Sequence, residues 1–202
     1  MRRRLESFED TRRRITAAAF HLHATLGPSR TTIRAIADGA GVQRHTVYAH
    51  FPDLGTLYLA CTEHGIRVTG MPAPDPWARI ADPTDRLRLG LAELFGWYRA
   101  NETMLRNVLY DVDTTAPPPT APDLFDLRMA SLFDAISSGW SVAVEGTRPT
   151  LLVVLAHAMA FETWRSLTGA GLTDAGLTDE QAVDLLLSIV SGLAEGSIAV
   201  RD

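Results

Sequence analysis

The sequence predicts an all-α protein, on three observations. Apolar residues recur throughout at three- and four-residue spacing, alternating strand-like runs are nearly absent, and Gly, Pro and capping residues punctuate the chain at helix-length intervals. A chain of 202 residues is long enough for one or two compact domains, each with its own core. Its 46% hydrophobic and 21% charged content is that of an ordinary globular protein and argues against global disorder.

The first helix is expected from about Phe8 to Leu26, because Ile15, Ala18, Ala19, Leu22 and Leu26 share a face and Gly27-Pro28 stops it. Thr31 or Thr32 can cap a short second helix through Asp38, with Ile33, Ile36 and Ala37 inward. Gly39-Ala40-Gly41 makes a tight turn, where glycine tolerates positive φ. A third short helix, Gln43 to His50, follows with Val47 inward. Pro52 ends it, and Asp53 caps a fourth helix to about Val68. Residues 70–83 contain Pro72, Pro74, Pro76 and Pro83 and read as a linker or irregular corner. Helices are then expected at about 84–100, 102–112 and 123–139, with a four-proline loop from Thr114 to Pro122 before the last of these. The final two, about 149–168 and 179–200, are the longest apolar elements, and Thr178 with Gln181 is a capping-box pattern.

Charge divides the chain. Residues 1–60 carry nine Arg against five acids, and residues 61–202 carry ten Arg against nineteen acids, for a net charge of −5. A basic head on an acidic body suits contact with phosphates at one end only. Lys is absent. Cys61 is the single cysteine, so no intrachain disulfide is possible. The first 30 residues lack the apolar core of a signal peptide, and the run Leu151 to Phe161 is too short to span a bilayer. A cytoplasmic protein without membrane contact is expected.

Two short helices joined by a Gly turn and braced by a preceding helix form a helix-turn-helix unit. The second is dense in groups able to meet DNA: Gln43, Arg44, His45, Thr46, Tyr48 and His50. Arg44 can pair bidentately with guanine and Gln43 with adenine, and with His45 they carry most of the expected sequence reading. Thr32, Arg34, Thr46, Tyr48 and His50 suit phosphate contacts, which set register. A solvated surface helix would show the same polarity.

The run from Thr31 to Pro52, with Ala40-Gly41-Val42 followed by Thr46-Val47-Tyr48-Ala49-His50-Phe51, resembles the DNA-binding signature of the TetR family; the resemblance covers about residues 11–60. It implies a helix-turn-helix DNA-binding domain at 1–52, a connecting helix at 53–68, and a ligand-binding and dimerisation domain at 70–202. By the same resemblance, the function is that of a transcriptional regulator, by family default a repressor released from a pseudo-palindromic double-stranded operator by a small molecule. A ligand-driven shift of the 53–68 helix is the expected route of release. Two positions depart from the family pattern. His23 stands where an aromatic is usual, and Leu54 where a phosphate-gripping Lys is usual, which implies a shallower salt dependence. The runs Arg2-Arg3-Arg4 and Arg12-Arg13-Arg14 are candidates to supply the missing cation.

On the last helix, Asp184, Ser188, Ser191 and Glu195 form one polar stripe on an otherwise apolar surface, so the helix needs a core on one side and can take a partner chain on another. Gly192 and Gly196 permit close approach, compatible with an interface or a crowded interior. Together with the 149–168 helix this implies a homodimer, which places two reading helices on successive half-sites. Trp97, Tyr98, Asn101, Met104, Phe125, Met129, His157, Phe161 and Trp164 are candidates to line a pocket for an unknown inducer, though each also suits a core. His157, Phe161 and Trp164 fall on one expected helical face, with His157 buried by pattern. No catalytic residues, metal site or cofactor are expected: there is no His pair at metal-binding spacing, no P-loop, no nucleophile elbow, and no third glycine for a dinucleotide site.

Overall fold

The computed structural model describes residues 2–111, 124–169 and 176–198, which are helical with no strand among them. They fall into two compact units that do not follow chain order. One holds Met1–Met71 with Asn101–Leu127, and the other Pro72–Ala100 with Arg128–Asp202.

The first unit opens with α1 (Arg2–Leu26), longer at its start than the apolar pattern alone indicates. A single 3-10 turn (Pro28–Arg30) leads to α2 (Ile33–Ala40). Thr32 is its N-cap, accepting from the Ala35 N–H at 3.1 Å. Gly41, in the left-handed conformation (φ 65, ψ 40), closes it after Ala40, two residues beyond the expected end at Asp38. α3 (Arg44–His50) follows, and then α4 (Leu54–Val68), capped by Asp53 through the Thr56 N–H at 2.7 Å. A hydroxyl or carboxylate cap of this kind is worth about 1 kcal/mol. α1 packs on α2 and α4. Ile15, Ala19, Ile36, Ala37, Ala40, Val47, Phe51, Leu57 and Cys61 form the core beneath them. Two residues from much later in the chain finish α1. Asn107 Nδ2 donates to the Ala24 carbonyl at 2.8 Å, one of the helix's orphan acceptors. Asp111 accepts from the Ser29 N–H at 2.7 Å and the Ser29 hydroxyl at 2.5 Å.

The second unit begins with α5 (Pro74–Ala78), a helical turn where the proline spacing predicts irregular chain. Pro74 sits in the first turn, where its missing N–H costs nothing, and Trp77 is fully buried with its indole donating to Glu93 at 2.7 Å. α6 (Pro83–Leu109) is one helix across the expected gap at 100–102, with a non-helical kink at Asn101 that coincides with the boundary between the units. Within this unit Leu87, Leu91, Leu94, Phe95 and Tyr98 form its buried stripe. Buried Arg86 has no carboxylate partner among the described residues: it donates to the carbonyls of Ile80, Ala81, Ala135 and Ser138 and to the Ser138 hydroxyl. A cation is favourable there, at the C-terminal end of α7 (Leu124–Ser137).

The expected 149–168 helix is two: α8 (Thr147–Ala158) and α9 (Phe161–Thr168), separated by extended Ala160. Neither Pro nor Gly causes the break. The carbonyls freed by the break are instead taken up from elsewhere: the Tyr98 hydroxyl donates to the Met159 carbonyl and the Thr163 hydroxyl to the His157 carbonyl, both at 2.6 Å. α10 (Asp179–Ala194) starts with the predicted capping box of Thr178 and Gln181 and ends before residue 200. Gly196 turns left-handed there (φ 75), and the Ile198 N–H returns to the Gly192 carbonyl at 3.0 Å. A Cβ at Gly192 would lie 2.7 Å from Ile198 Cδ1, so the close approach this glycine permits is made by its own chain. The loop Thr114 to Pro122 lies outside the described residues, as do the positions expected to end the last helix at 199–200.

Candidate nucleic-acid interface

α3 is too short to be stable alone, and the residues around it show how it is held. Val47 and Phe51 anchor it in the core. Its C-terminal end is clasped from α1: Arg12 donates to the His50 carbonyl at 2.7 Å and lies over the Phe51 ring, 4.1 Å from its centroid. Arg14 donates to the Ala40 carbonyl at 3.0 Å, closing α2 in the same way. Arg13 pairs with Asp10 at 2.9 Å. Two guanidiniums of this run are thus engaged with helix ends. The sequence carries one hint of it: α2 has no basic residue in its last turn and so needs a cation from elsewhere.

What α3 leaves outside is the polar set. Arg44, His45 and Tyr48 are exposed, and Thr46 is half-buried. Gln43 is the N-cap residue, but its side chain makes no capping bond and is exposed. Thr32 is exposed and uses its oxygen as an acceptor, leaving its hydroxyl proton to be donated outward. Arg34 is exposed and only loosely paired with Asp38 at 3.8 Å. Leu54 is 66% exposed, so the departure from the family's basic residue stands at the surface, unabsorbed by the core.

His50 is different from the rest. Expected among the phosphate contacts, it is only 8% exposed, its ring tilted by 33° against that of Phe8 at a 4.0 Å centroid distance. Nδ1 is buried with no hydrogen-bond partner among the described residues. Burial and then the neighbouring Arg12 charge hold its pKa down, against a smaller upward pull from Glu9. The Arg12 bond to its carbonyl fixes it as part of the scaffold. His23 is partly buried too, with Nδ1 3.3 Å from Cys61 Sγ. Burial pushes the Cys61 thiol up to about 12, so it is an unreactive core group.

The nine inducer-pocket candidates are divided between the units. Asn101, Met104 and Phe125 lie in the first, and Trp97, Tyr98, Met129, His157, Phe161 and Trp164 in the second. Trp97, Tyr98, Phe161 and Trp164 are buried against one another, with neighbouring ring centroids 5.4–5.9 Å apart for the Tyr98 pairs with Phe161, Trp164 and Trp97. Trp164 also donates to Asp179 at 2.9 Å. His157 is exposed, not buried, and the helix break removes it from the face it was expected to share with Phe161 and Trp164.

A polar reading helix, held by its core residues and by cations from a brace helix, defines a helix-turn-helix DNA-binding regulator. Residues 15–61 match the family model described as bacterial regulatory proteins, tetR family. The fold is similar to a TetR transcription regulator from Haloarcula marismortui at 20% identity and a TM-score of 0.57, covering 92% of this chain and 97% of that one. It is also similar to a TetR-like transcriptional regulator from Rhodococcus sp. at 18% identity and a TM-score of 0.52, covering 90% and 94%. None of the curated proteins matches the chain. The family match lies on the brace helix and the helix-turn-helix, so residues 15–61 form a DNA-binding head of the tetR type, and the likeness over the rest of the chain is one of fold. No helix among the described residues is long and apolar enough to cross a membrane.

Proposed function

We propose that the protein is a repressor that holds a pseudo-palindromic operator through α3 and is released by a small molecule bound among the C-terminal helices. The observation that carries the DNA-reading part is the exposure of Gln43, Arg44, His45 and Tyr48 on and just before a helix anchored through Val47, His50 and the following Phe51. Arg44 and Gln43 are assigned to base edges with His45 beside them, and Thr32, Arg34, Thr46 and Tyr48 to phosphates. His50 is assigned to neither.

The test is retardation of operator DNA by the purified protein across a salt series. Arg44→Ala is expected to cost about 1–3 kcal/mol of specific affinity while leaving binding to unrelated DNA nearly unchanged. Unchanged affinity for both Arg44→Ala and Tyr48→Phe at moderate salt overturns the assignment. Equal operator affinity with and without a ligand shown to bind overturns the release mechanism, since coupling between the two sites must be reciprocal.

A further inference from the structure

The arginines of the first unit sort by what holds them. Arg12, Arg13, Arg14, Arg34 and Arg67 are engaged by the His50 carbonyl, Asp10, the Ala40 carbonyl, Asp38 and the His64 ring. Arg44 faces outward from α3. The other two whose side chains are described, Arg30 and Arg106, stand 76 positions apart in the chain, yet line one open cleft of about 410 Å³ with Thr103, Asn107, Tyr110 and Asp111. Neither has an ion-pair or hydrogen-bond partner among the described residues. Asp111, the only acid among the described residues lining the cleft, takes the N–H and hydroxyl of Ser29 on its two oxygens. Among its described residues the cleft therefore has two guanidiniums to one carboxylate, and that carboxylate is directed to Ser29.

We propose that this cleft is a phosphate-binding site separate from the reading helix, for a phosphate group carried either by a small molecule or by the DNA backbone. One guanidinium satisfies a carboxylate bidentately; two lining one concavity, with Thr103 in the same lining, suit a tetrahedral oxyanion with more acceptors to fill. Asp111 forms part of its wall and holds Ser29, which with Arg30 lies just before the α2 cap at Thr32. A phosphate on Arg30 acts directly on the segment that leads into the helix-turn-helix.

The experiment titrates inorganic phosphate into the full-length protein at fixed ionic strength and follows binding by calorimetry. Direct detection is required because phosphate stabilises many proteins by exclusion from their surfaces. Saturable binding is expected, weakened at least tenfold by Arg30→Gln and by Arg106→Gln, partly retained in Arg106→Lys, and unaltered by Arg79→Gln, an exposed arginine of the other unit. Far-ultraviolet circular dichroism confirms that each variant is folded. A second arm measures the salt dependence of operator binding. If the DNA backbone supplies the phosphate, Arg30→Gln and Arg106→Gln each lower the slope by about one. If a small molecule supplies it, the slopes stay as in the wild type while phosphate binding is lost. Absence of saturable phosphate binding together with unchanged slopes overturns the proposal, as does equal weakening by Arg79→Gln. The calorimetric arm does not depend on operator recognition, so wild-type failure to bind an operator would overturn the operator reading and leave the cleft to be judged by calorimetry.

Discussion

Arg12 shows how one side chain can be misread and what corrects it. In the sequence it belongs to a basic run available for phosphate; in the fold its guanidinium is committed to the His50 carbonyl and the Phe51 ring. Arg12→Ala is therefore expected to lower the melting temperature and weaken operator binding, while the slope of affinity against salt stays unchanged because no phosphate contact is lost. A slope reduced by about one would return Arg12 to the DNA surface. His50 supplies a pH prediction. Its pKa is lowered by burial first and by Arg12 second, and those of His23 and His64 are lowered by burial as well. The unfolded chain then takes up protons before the folded one as pH falls below the ordinary value of 6.5. Stability from these groups is complete above that pH and is lost through the interval down to their folded values. Thermal melts between pH 7.5 and about 5 should show a falling midpoint, with a smaller fall in His50→Gln. Identical falls in both proteins would remove His50 from the effect.

Elements were legible where a local chemical signal fixes them and hidden where a distant residue does. The Thr32 and Asp53 caps, the left-handed Gly41 and the Thr178–Gln181 box are written within four residues of the ends they close. The break between α8 and α9 has no such mark. Apolar periodicity runs straight through it, and the donors that make it tolerable are Tyr98 on α6 and Thr163 beyond the gap. Tyr98→Phe keeps the aromatic packing and leaves the buried Met159 carbonyl short of a donor, at an expected cost of about 1–3 kcal/mol in denaturant unfolding. A cost near zero would mean that the break is held by backbone bonds alone. Trp77 was hidden for the opposite reason: three prolines around it suggest a linker, although a proline in the first turn is compatible with the buried helix it forms.

For the whole molecule, the proposed dimer makes a separate prediction. α8 and α10 pack on each other, yet leave Val153 68% and Leu185 42% exposed. If two chains meet through these helices, Val153→Arg with Leu185→Glu should shift the protein to monomers in sedimentation. It should also weaken operator binding far more than binding to a single half-site, because the second reading helix no longer arrives with the first. A double variant that remains dimeric would place the interface elsewhere. The helix-turn-helix and its caps could be read from the sequence because their residues are close neighbours in it. The assignment of candidate pocket residues could not, since Trp97, Phe161 and Trp164 serve a core as well as they would serve a ligand.

Gly27 brings the end of α6 into this account of the head. With φ at 91, it passes so close to Asp111 that an added Cβ would lie 2.4 Å from the carboxylate oxygen. The compact unit containing the reading helix is therefore discontinuous in sequence: residues 101–111 complete α1 and the turn before α2. This matters to anyone grafting heads between regulators to rewire their targets. A chimera cut after Met71 that takes its later helices from another protein would lose both Asn107 and Asp111. It should melt lower than a graft carrying 101–111 along, so the transplantable part is two pieces of chain that must travel together.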